Sequence, residues 1–291
     1  MLTALEARVL TMNDEVFPDV LRHVALPPAV LFLRGRLELL HEGTRLGVVG
    51  SRNFTEYGAE CARMLTRPVA RAGVTIVSGL ARGIDSIAHE AALDVGGDTI
   101  AVLGNGIDVY HPARNRRLQE RIAHDGLLLT EFPPGTPALP YHFPHRNRII
   151  AYLSKNVLVV EAQRDSGSLS TAAHARESFD VLAVPGPIGR PTSVGTNELI
   201  RDGAHAVLTP EDVLYELKVR PSRDVERAPA KPLDIDEDSL PTWQALGDEP
   251  MHLDEIAGRS GLPADEVSLA LLSLELVGRV RALPGGRYVR A

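Results

Sequence analysis

LGVVGSR, residues 46–52, is the stretch that decides the fold of this 291-residue chain. Apolar residues set among glycines predict a short buried strand, and a helical pattern follows at residues 57–72. A strand, a glycine turn and a helix in succession open a doubly wound α/β unit, in which ligands bind at the carboxyl ends of the strands. The free amides of the helix start attract anions, and Arg52 adds a positive charge at the same place.

The alternation of strand and helix patterns continues through residues 46–209 and predicts a doubly wound α/β fold with a mostly parallel sheet and right-handed crossovers. The segment at residues 156–162 is apolar at successive positions, which suits a strand covered on both faces. Predicted strands are residues 46–49, 75–78, 99–103, 127–130, 156–162, 181–184 and 206–208; predicted helices are residues 57–72, 86–95, 115–124, 147–153, 169–178 and 197–202.

Three further segments flank this domain. Residues 1–45 contain a helix pattern, a proline break and a strand pattern, and are expected to pack on the next domain because they are too short to fold alone. Residues 210–238 are predicted to be a linker, since proline and charge without periodicity make a poor core. Residues 239–291 show three helix patterns and a hairpin around Gly285 and Gly286, which predict a small winged-helix domain of the α+β class.

Composition limits the kinds of protein that fit. One cysteine, Cys61, excludes a disulfide framework, and no apolar run approaches the ~20 residues that span a bilayer. We therefore expect a cytoplasmic protein that is not associated with a membrane. The formal net charge is −7, yet basic and acidic residues are equal in number over residues 46–209, and the excess of acid lies in residues 210–291. Net charge alone thus does not exclude a nucleic-acid ligand.

Turns rich in glycine or serine follow four of the predicted strands. Because the carboxyl ends of parallel strands meet at one edge of a sheet, these turns together fit a row of phosphates. The turn at residues 79–83 has a simpler interpretation, a tight turn in which Arg82 pairs with Asp85. The turn at residues 166–168 also has one, in which Ser168 or Ser170 is an ordinary helix N-cap. The four turns are residues 50–52, residues 79–83 within SGLARGID, residues 104–106 and residues 166–168.

The segment FPHRNRII at residues 143–150 is the most specific motif. Arg146 and Arg148 flank Asn147, so one guanidinium can pair with an internal carboxylate while the other faces a ligand. Phe143 can stack on a base. The alternative places Phe143 in the core and both arginines in structural ion pairs.

Common signatures of catalysis are absent from the sequence. No GxGxxG fingerprint follows the first strand, no P-loop lysine is present, and no serine lies in a nucleophile elbow with suitable His and Asp partners. No cluster of metal ligands is evident despite ten histidines. We therefore expect no cofactor and no metal.

Taken together, the motifs resemble those of the DNA-processing protein A (DprA, or Smf) family. They occur in the family's order over about residues 16–210. The resemblance implies an extended Rossmann-like domain that binds single-stranded DNA, protects it and helps to load RecA recombinase in natural transformation and homologous recombination. It also implies a homodimer through this domain, in the region of Leu199 and Ile200, and it implies no catalytic reaction. The motifs are VGSR (49–52), SGLARGID (78–85), IAVLGNG (100–106), FPHRNRII (143–150), VVEA (159–162), SGSL (166–169) and AVPG (183–186).

The resemblance also assigns nucleic-acid contacts to particular residues. Arg146, Asn147 and Arg148 would shape the path of the strand, Phe143 would touch a base, and Lys155 would add a charge. The residues that would hold phosphate are Gly50, Ser51, Arg52, Gly79, Arg82, Gly83, Ser166, Gly167 and Ser168. One departure is that the N-terminal helical domain common in the family is missing or reduced to residues 1–45.

The residues alone leave two other functions possible. Nucleotide phosphoribohydrolases of similar fold use a PGGxGT turn followed by a glutamate, whereas this chain has SGSLSTA at residues 166–172. A regulator of double-stranded DNA would work through residues 239–291, where the third helix carries Asp265, Glu266 and Glu275, which phosphates repel. A role in binding a partner, or another auxiliary role, is favoured for this domain. Contact with DNA stays open for the wing arginines Arg279, Arg281, Arg287 and Arg290.

Overall fold

The computed structural model describes residues 7–24, 26–41, 43–176, 179–220, 239–247, 250–276, 279–283 and 285–290. The chain divides into two compact units, Met1–Glu226 and Arg227–Ala291. Within the described ranges, every helix is too short or too polar to cross a membrane.

The first unit is built on one nine-stranded sheet. Its spatial order is β1-β2-β6-β5-β4-β3-β7-β8-β9. The strands β3 to β9 are mutually parallel, and β1 and β2 add an antiparallel edge beyond β6. The predicted mostly parallel sheet is therefore confirmed. The strands are β1 (Ala7–Thr11), β2 (Val30–Gly35), β3 (Arg45–Val49), β4 (Thr75–Ser78), β5 (Thr99–Val102), β6 (Leu127–Thr130), β7 (Asn156–Val159), β8 (Val181–Ala183) and β9 (His205–Ala206).

Helices cover both faces of this sheet. Along β7, Val157 and Val159 pack into one apolar core, whereas Leu158 and Val160 pack into the other, as expected for a strand buried on both faces. The helices are α1 (Asp19–Arg22), α2 (Glu56–Arg71), α3 (Ile84–Leu93), α4 (Arg116–Asp125), α5 (His142–Leu153), α6 (Ser168–Ala175), α7 (Pro191–Arg201) and α8 (Pro210–Glu216), with 3₁₀ turns at Leu37–Leu40 and Ala113–Asn115.

The order of the strands places a topological switch between β3 and β7. From β3 the chain adds β4, β5 and β6 on one side, then returns to add β7, β8 and β9 on the other. The connections that leave β3 and β7 therefore diverge, and a crevice opens between them at the carboxyl edge of the sheet.

The N-terminal segment packs on the core by extending the sheet through β1 and β2. The predicted start of the linker needs correction. Residues 210–216, assigned to the linker, form α8, which begins with a capping box between Thr209 and Asp212 and buries Val213 and Leu214 against α2. The remaining predicted linker, residues 221–238, lies outside the described residues.

The predicted boundaries differ most from the structure at the starts of two helices. The helix α7 begins at Pro191, six positions before its predicted start. The helix α5 begins at His142, five positions before its predicted start, so the FPHRN segment is helical. Pro144 lies in the first turn, where a missing amide costs little. Phe143, Arg146 and Asn147 are therefore held rigidly rather than on a loop.

The second unit has its own small core and the predicted winged-helix elements. A three-stranded sheet of order β10-β12-β11 flanks the helices, and Ile256, Val267 and Leu271 are buried between them. Pro284 and Val277 lie outside the described residues. The elements are α9 (Leu240–Ala245), β10 (Met251–His252), α10 (Leu253–Ser260), α11 (Ala264–Leu276), β11 (Val280–Leu283) and β12 (Arg287–Arg290).

Candidate nucleic-acid interface

A crevice of about 590 Å³ lies at the switch point in the first unit. The turns after β3 and β7 form two of its walls, and the first two turns of α5 form a third. Arg52, Phe143, Arg146 and Ser166–Ser168 all line it, so motifs more than a hundred residues apart in sequence meet here. The turn at Gly104 lines a smaller neighbouring recess of about 70 Å³, which Arg52 and Phe143 share.

The turn after β3 owes its shape to close packing on α3. A Cβ on Gly50 would lie 2.7 Å from the side chain of Ile84, so only glycine fits. The Ser51 carbonyl accepts a hydrogen bond from the Ile84 amide at 3.3 Å, and the Ser51 hydroxyl accepts one from the Asn53 amide at 3.1 Å. This scaffold leaves the Arg52 side chain exposed at the mouth of the crevice, where a phosphate can reach it.

The turn after β4 packs directly on Arg52. Gly83 has φ +97°, and a Cβ there would clash with the Ser51 carbonyl, so this position requires glycine. Arg82 donates from Nε to the Arg52 carbonyl at 3.0 Å rather than pairing with Asp85. The turn thereby fixes the backbone beneath Arg52 and adds a second exposed guanidinium beside it.

Asp85 and Arg146 form the buried floor. The Asp85 carboxylate accepts a hydrogen bond from the Gly79 amide at 3.2 Å; burial raises the pKa of Asp85, while the positive charge of Arg146 opposes that rise. Arg146 is only 3% exposed and donates to the carbonyls of Gly79, at 2.7 Å, and Val102. Burial lowers the pKa of Arg146 to about 10, so it stays cationic at neutral pH. Arg146 thus ties the ends of β4 and β5 together beneath the crevice.

Asn147 and Arg148 have different roles from Arg146. Asn147 donates from Nδ2 to the Gly167 carbonyl at 3.1 Å and to the Ser170 hydroxyl at 2.8 Å, so it holds the turn after β7 in place. Arg148 forms a bidentate ion pair with Glu131, at 2.9 and 2.7 Å. The prediction that one arginine would pair with an internal carboxylate therefore describes Arg148.

The serine turn after β7 faces the crevice from the other side. The hydroxyls of Ser166 and Ser168 lie 2.7 Å apart, and the Ser168 amide donates to the Ser166 hydroxyl at 3.4 Å. A Cβ on Gly167 would meet no atom within 4 Å, so the turn is uncrowded where it faces the crevice. Hydroxyl and amide donors at the start of α6 are suited to a phosphate group.

The Phe143 ring lies between cationic and aromatic neighbours. The guanidinium carbons of Arg52 and Arg146 lie 5.4 and 6.0 Å from the ring centroid, and the His111 ring lies 5.3 Å away. Burial lowers the pKa of His111, and Arg52 lowers it further. A half-buried aromatic face beside two guanidinium groups provides a stacking surface for a base next to its phosphates.

Lys155 does not join the crevice. It directly precedes β7, at the amino edge of the sheet, and its ammonium donates to the Leu217 carbonyl at 2.9 Å. The carboxyl ends of the strands, where the crevice lies, are at the opposite edge. A residue that precedes a parallel strand lies at its amino end, so the order of the sequence already argues against a place for Lys155 in the crevice.

Sequence reasoning assigned no role to two residues that shape the site. His111 contacts Phe143 and lines the crevice, although nothing in its local sequence marks it. Glu161 is buried and accepts from the Thr55 amide at 2.9 Å and the Thr55 hydroxyl at 2.7 Å. It fixes the start of α2 directly after the Arg52 turn. The VVEA motif contained this residue, but its partner was visible only in the fold.

In the second unit, α11 presents a surface of different character. Its first turn carries Asp265 and Glu266, and Leu269 and Leu272 are 68% and 55% exposed. Of the wing arginines, Arg290 donates to the Trp243 carbonyl and lies over the Trp243 ring. Arg281 and Arg287 are exposed, whereas Arg279 is half-buried.

The chain resembles known proteins over both units. The family model of DNA recombination-mediator protein A matches residues 8–218, and that of the DprA winged helix domain matches residues 225–286. Protein Smf of Escherichia coli (strain K12) is 45% identical over 289 residues, which cover 97% of this chain and 77% of the relative. DNA processing protein DprA of Bacillus subtilis (strain 168) is 41% identical over 218 residues, which cover 75% of this chain and 72% of the relative.

Two solved structures share the fold. DNA processing protein A from Streptococcus pneumoniae superposes with a TM-score of 0.69 at 44% identity, covering 72% of this chain and 74% of that one. DNA processing protein A from Helicobacter pylori, solved for its single-stranded DNA binding mode, superposes with a TM-score of 0.66 at 30% identity, covering 72% of this chain and 96% of that one.

Proposed function

Because this chain belongs to the DNA recombination-mediator protein A family, we propose that it binds single-stranded DNA in the crevice between β3 and β7. The observation that carries the proposal is the convergence of Arg52, Arg146, Phe143 and the serine turn on that one crevice. Guanidinium groups and amides neutralise successive phosphates, while the aromatic face stacks on bases of any identity. Binding is therefore tight, tolerant of sequence and steeply dependent on salt.

The site residues act in two groups. Gly50, Gly79 and Gly83 allow the turns to pack closely, and Arg146, Asn147 and Arg148 hold the walls through their own hydrogen bonds and ion pair. The contacts to DNA then come from the side chains and amides that remain directed at the crevice: Ser51, Arg52, Arg82, Phe143, Ser166, Gly167 and Ser168.

The wider role follows from membership of the family. The protein acts in the cytoplasm, protects an incoming single strand and helps to load RecA recombinase onto it during natural transformation and homologous recombination. It works as a homodimer through α7, where Leu199 and Ile200 are half-buried at the edge of the main core. We infer that it acts by binding and catalyses no reaction, because the family to which it belongs is one of DNA-processing proteins, of which the Helicobacter pylori relative was solved for its single-stranded DNA binding mode.

Fluorescence-anisotropy titrations of the full chain, with unpaired and duplex oligonucleotides over a salt series, test the proposal. We expect the unpaired strand to bind at least about tenfold more tightly than the duplex, and its affinity to fall steeply with salt. Equal affinity for both, or no dependence on salt, would contradict the proposed site. A crystal grown with oligothymidine that placed the ligand away from Arg52 would also exclude it.

An assay for free base released from nucleoside monophosphates separates this proposal from the phosphoribohydrolase alternative. No release above the uncatalysed rate is expected. Release that Arg52→Glu abolishes would establish an enzyme in this crevice.

A further inference from the structure

A group of arginines lies at the start of α4, where the partial positive charge of the helix end repels them. Arg114 belongs to the preceding 3₁₀ turn, Arg116 and Arg117 begin α4, and the first turn holds no acidic residue. The amino end of a helix carries a partial positive charge, which acidic side chains stabilise and basic ones oppose. Three cations at this end therefore reduce the stability of the helix unless an anion binds there.

Among the residues that the structure describes, one of these three arginines has a side-chain partner. Arg116 lies over the Tyr110 ring, at 4.8 Å from the centroid. Further along the helix, Arg121 is paired with Asp94 at 2.9 Å. Arg114 and Arg117 are exposed, and neither has an ion pair or side-chain hydrogen bond within the part of the chain that the structure describes. Both guanidinium groups are free to receive a ligand.

The two free arginines continue the cationic surface of the crevice. Asn115, between them, donates from Nδ2 to the Leu80 carbonyl at 2.9 Å and to the Ser86 hydroxyl at 2.8 Å, and so fastens this segment to the turn after β4. That turn carries Arg82. The adjoining residues His111 and Pro112 line the smaller recess together with Arg52 and Arg82. Arg114 and Arg117 are three positions apart and share one helical face.

We propose that Arg82, Arg114 and Arg117 form a phosphate track, on which the backbone of a single DNA strand lies after it leaves the crevice. This inference rests on the proposed function, because the crevice must hold one part of the strand. The track recognises phosphate and not base, since it consists of guanidinium groups without an exposed aromatic side chain. It lengthens the binding site along the edge of β4 and β5.

The length of the oligonucleotide tests the track separately from the crevice. The full chain and the Arg114→Gln/Arg117→Gln variant are titrated with fluorescent oligothymidines of about 6 and about 20 nucleotides over a salt series. The control is Arg71→Gln/Arg220→Gln, which removes two exposed arginines outside the crevice, one at the end of α2 and one after α8. Circular dichroism verifies that each variant is folded.

We expect the Arg114→Gln/Arg117→Gln variant to bind the longer oligonucleotide about tenfold more weakly, and the slope of log affinity against log salt to become shallower by about 1.4, because two phosphate contacts are lost. Its affinity for the shorter oligonucleotide, and both affinities of the control, should change less than about twofold. An equal loss of affinity for both oligonucleotides, or no loss for either, would contradict the proposed phosphate track. Failure of the unmodified chain to bind either oligonucleotide would instead refute the proposed function.

Discussion

The crevice of the sheet unit and helix α11 of the C-terminal unit occupy places where their folds commonly bind nucleic acid, yet their surfaces are opposite in character. The crevice presents Arg52 and Arg82 with serine hydroxyls, whereas α11 presents Asp265 and Glu266 beside exposed leucines. Phosphate is attracted to the first surface and repelled by the second. Architecture alone therefore does not locate the DNA site; the charge of the side chains on it does.

The largest expected effect concerns Arg146 and Asp85, which are buried beneath the crevice of the sheet unit. Replacing Arg146 with Met removes the bonds to Gly79 and Val102 and leaves the Asp85 charge buried without its counter-charge. We expect the free energy of unfolding of the sheet unit to fall by about 3–5 kcal/mol, as measured by urea denaturation. Arg71→Met, at an exposed helix end, should cost less than about 0.5 kcal/mol. A loss below about 1 kcal/mol for Arg146→Met would show that the floor is not held in this way.

The next effect is on binding. Arg52→Glu replaces the exposed cation at the mouth with an anion, and should weaken the affinity for single-stranded DNA about 100-fold, or about 2.7 kcal/mol, in anisotropy titrations. The matched control in the second unit is Arg281→Glu, another exposed arginine, for which less than about a threefold change is expected. Comparable losses in the two variants would remove the contrast between the units.

Acid should affect the sheet unit in a way that depends on His89. Burial lowers the pKa of His89 to about 3, and its Nδ1 lies 2.7 Å from the Thr99 hydroxyl. The folded state therefore favours the neutral ring. The free energy of unfolding that this preference contributes is fully present above the pKa of about 6.5 that His89 has in the unfolded chain, and it is lost as the pH falls towards about 3.

The free energy of unfolding of the unmodified chain should therefore fall as the pH is lowered from about 7 to about 5.5. In urea titrations at each pH, we expect the fall for the His89→Gln variant to be about 1 kcal/mol smaller. His252→Gln, at an exposed histidine of the C-terminal unit, serves as the matched control variant. Parallel profiles for His89→Gln and the unmodified chain would refute the role of His89.

The smallest expected effect is that of removing the C-terminal unit. A chain ending at Glu226 keeps the whole crevice, because every residue that lines it lies between Val49 and Thr171. Its affinity for single-stranded DNA should stay within about threefold of that of the full chain. A loss of tenfold or more would mean that the acidic unit contributes to binding despite its charge.

Much of the crevice could be predicted because its motifs are local. The turns at residues 50–52, 79–83 and 166–168 each follow an apolar strand, and parallel strands bring their carboxyl ends to one edge whatever their order. The unequal roles of Arg146 and Arg148 could not be predicted, because their partners are distant in sequence. Val102 lies in β5, and Glu131 directly follows β6. Lys155 was misplaced for a different reason: it precedes β7, and therefore lies at the edge of the sheet opposite the crevice, where it bonds to the Leu217 carbonyl.

By itself, the sequence determined the α/β alternation, the parallel sheet, the separate winged-helix unit and the set of turns that hold the candidate site. These depend on periodicity and on glycine, whose effects act within a few residues. Only the tertiary structure decided which cations are buried, as Arg146 is, and which stay exposed, as Arg52, Arg114 and Arg117 are. That distinction depends on contacts between residues far apart in the chain, and it separates the arginines that build the crevice from those that can bind a ligand.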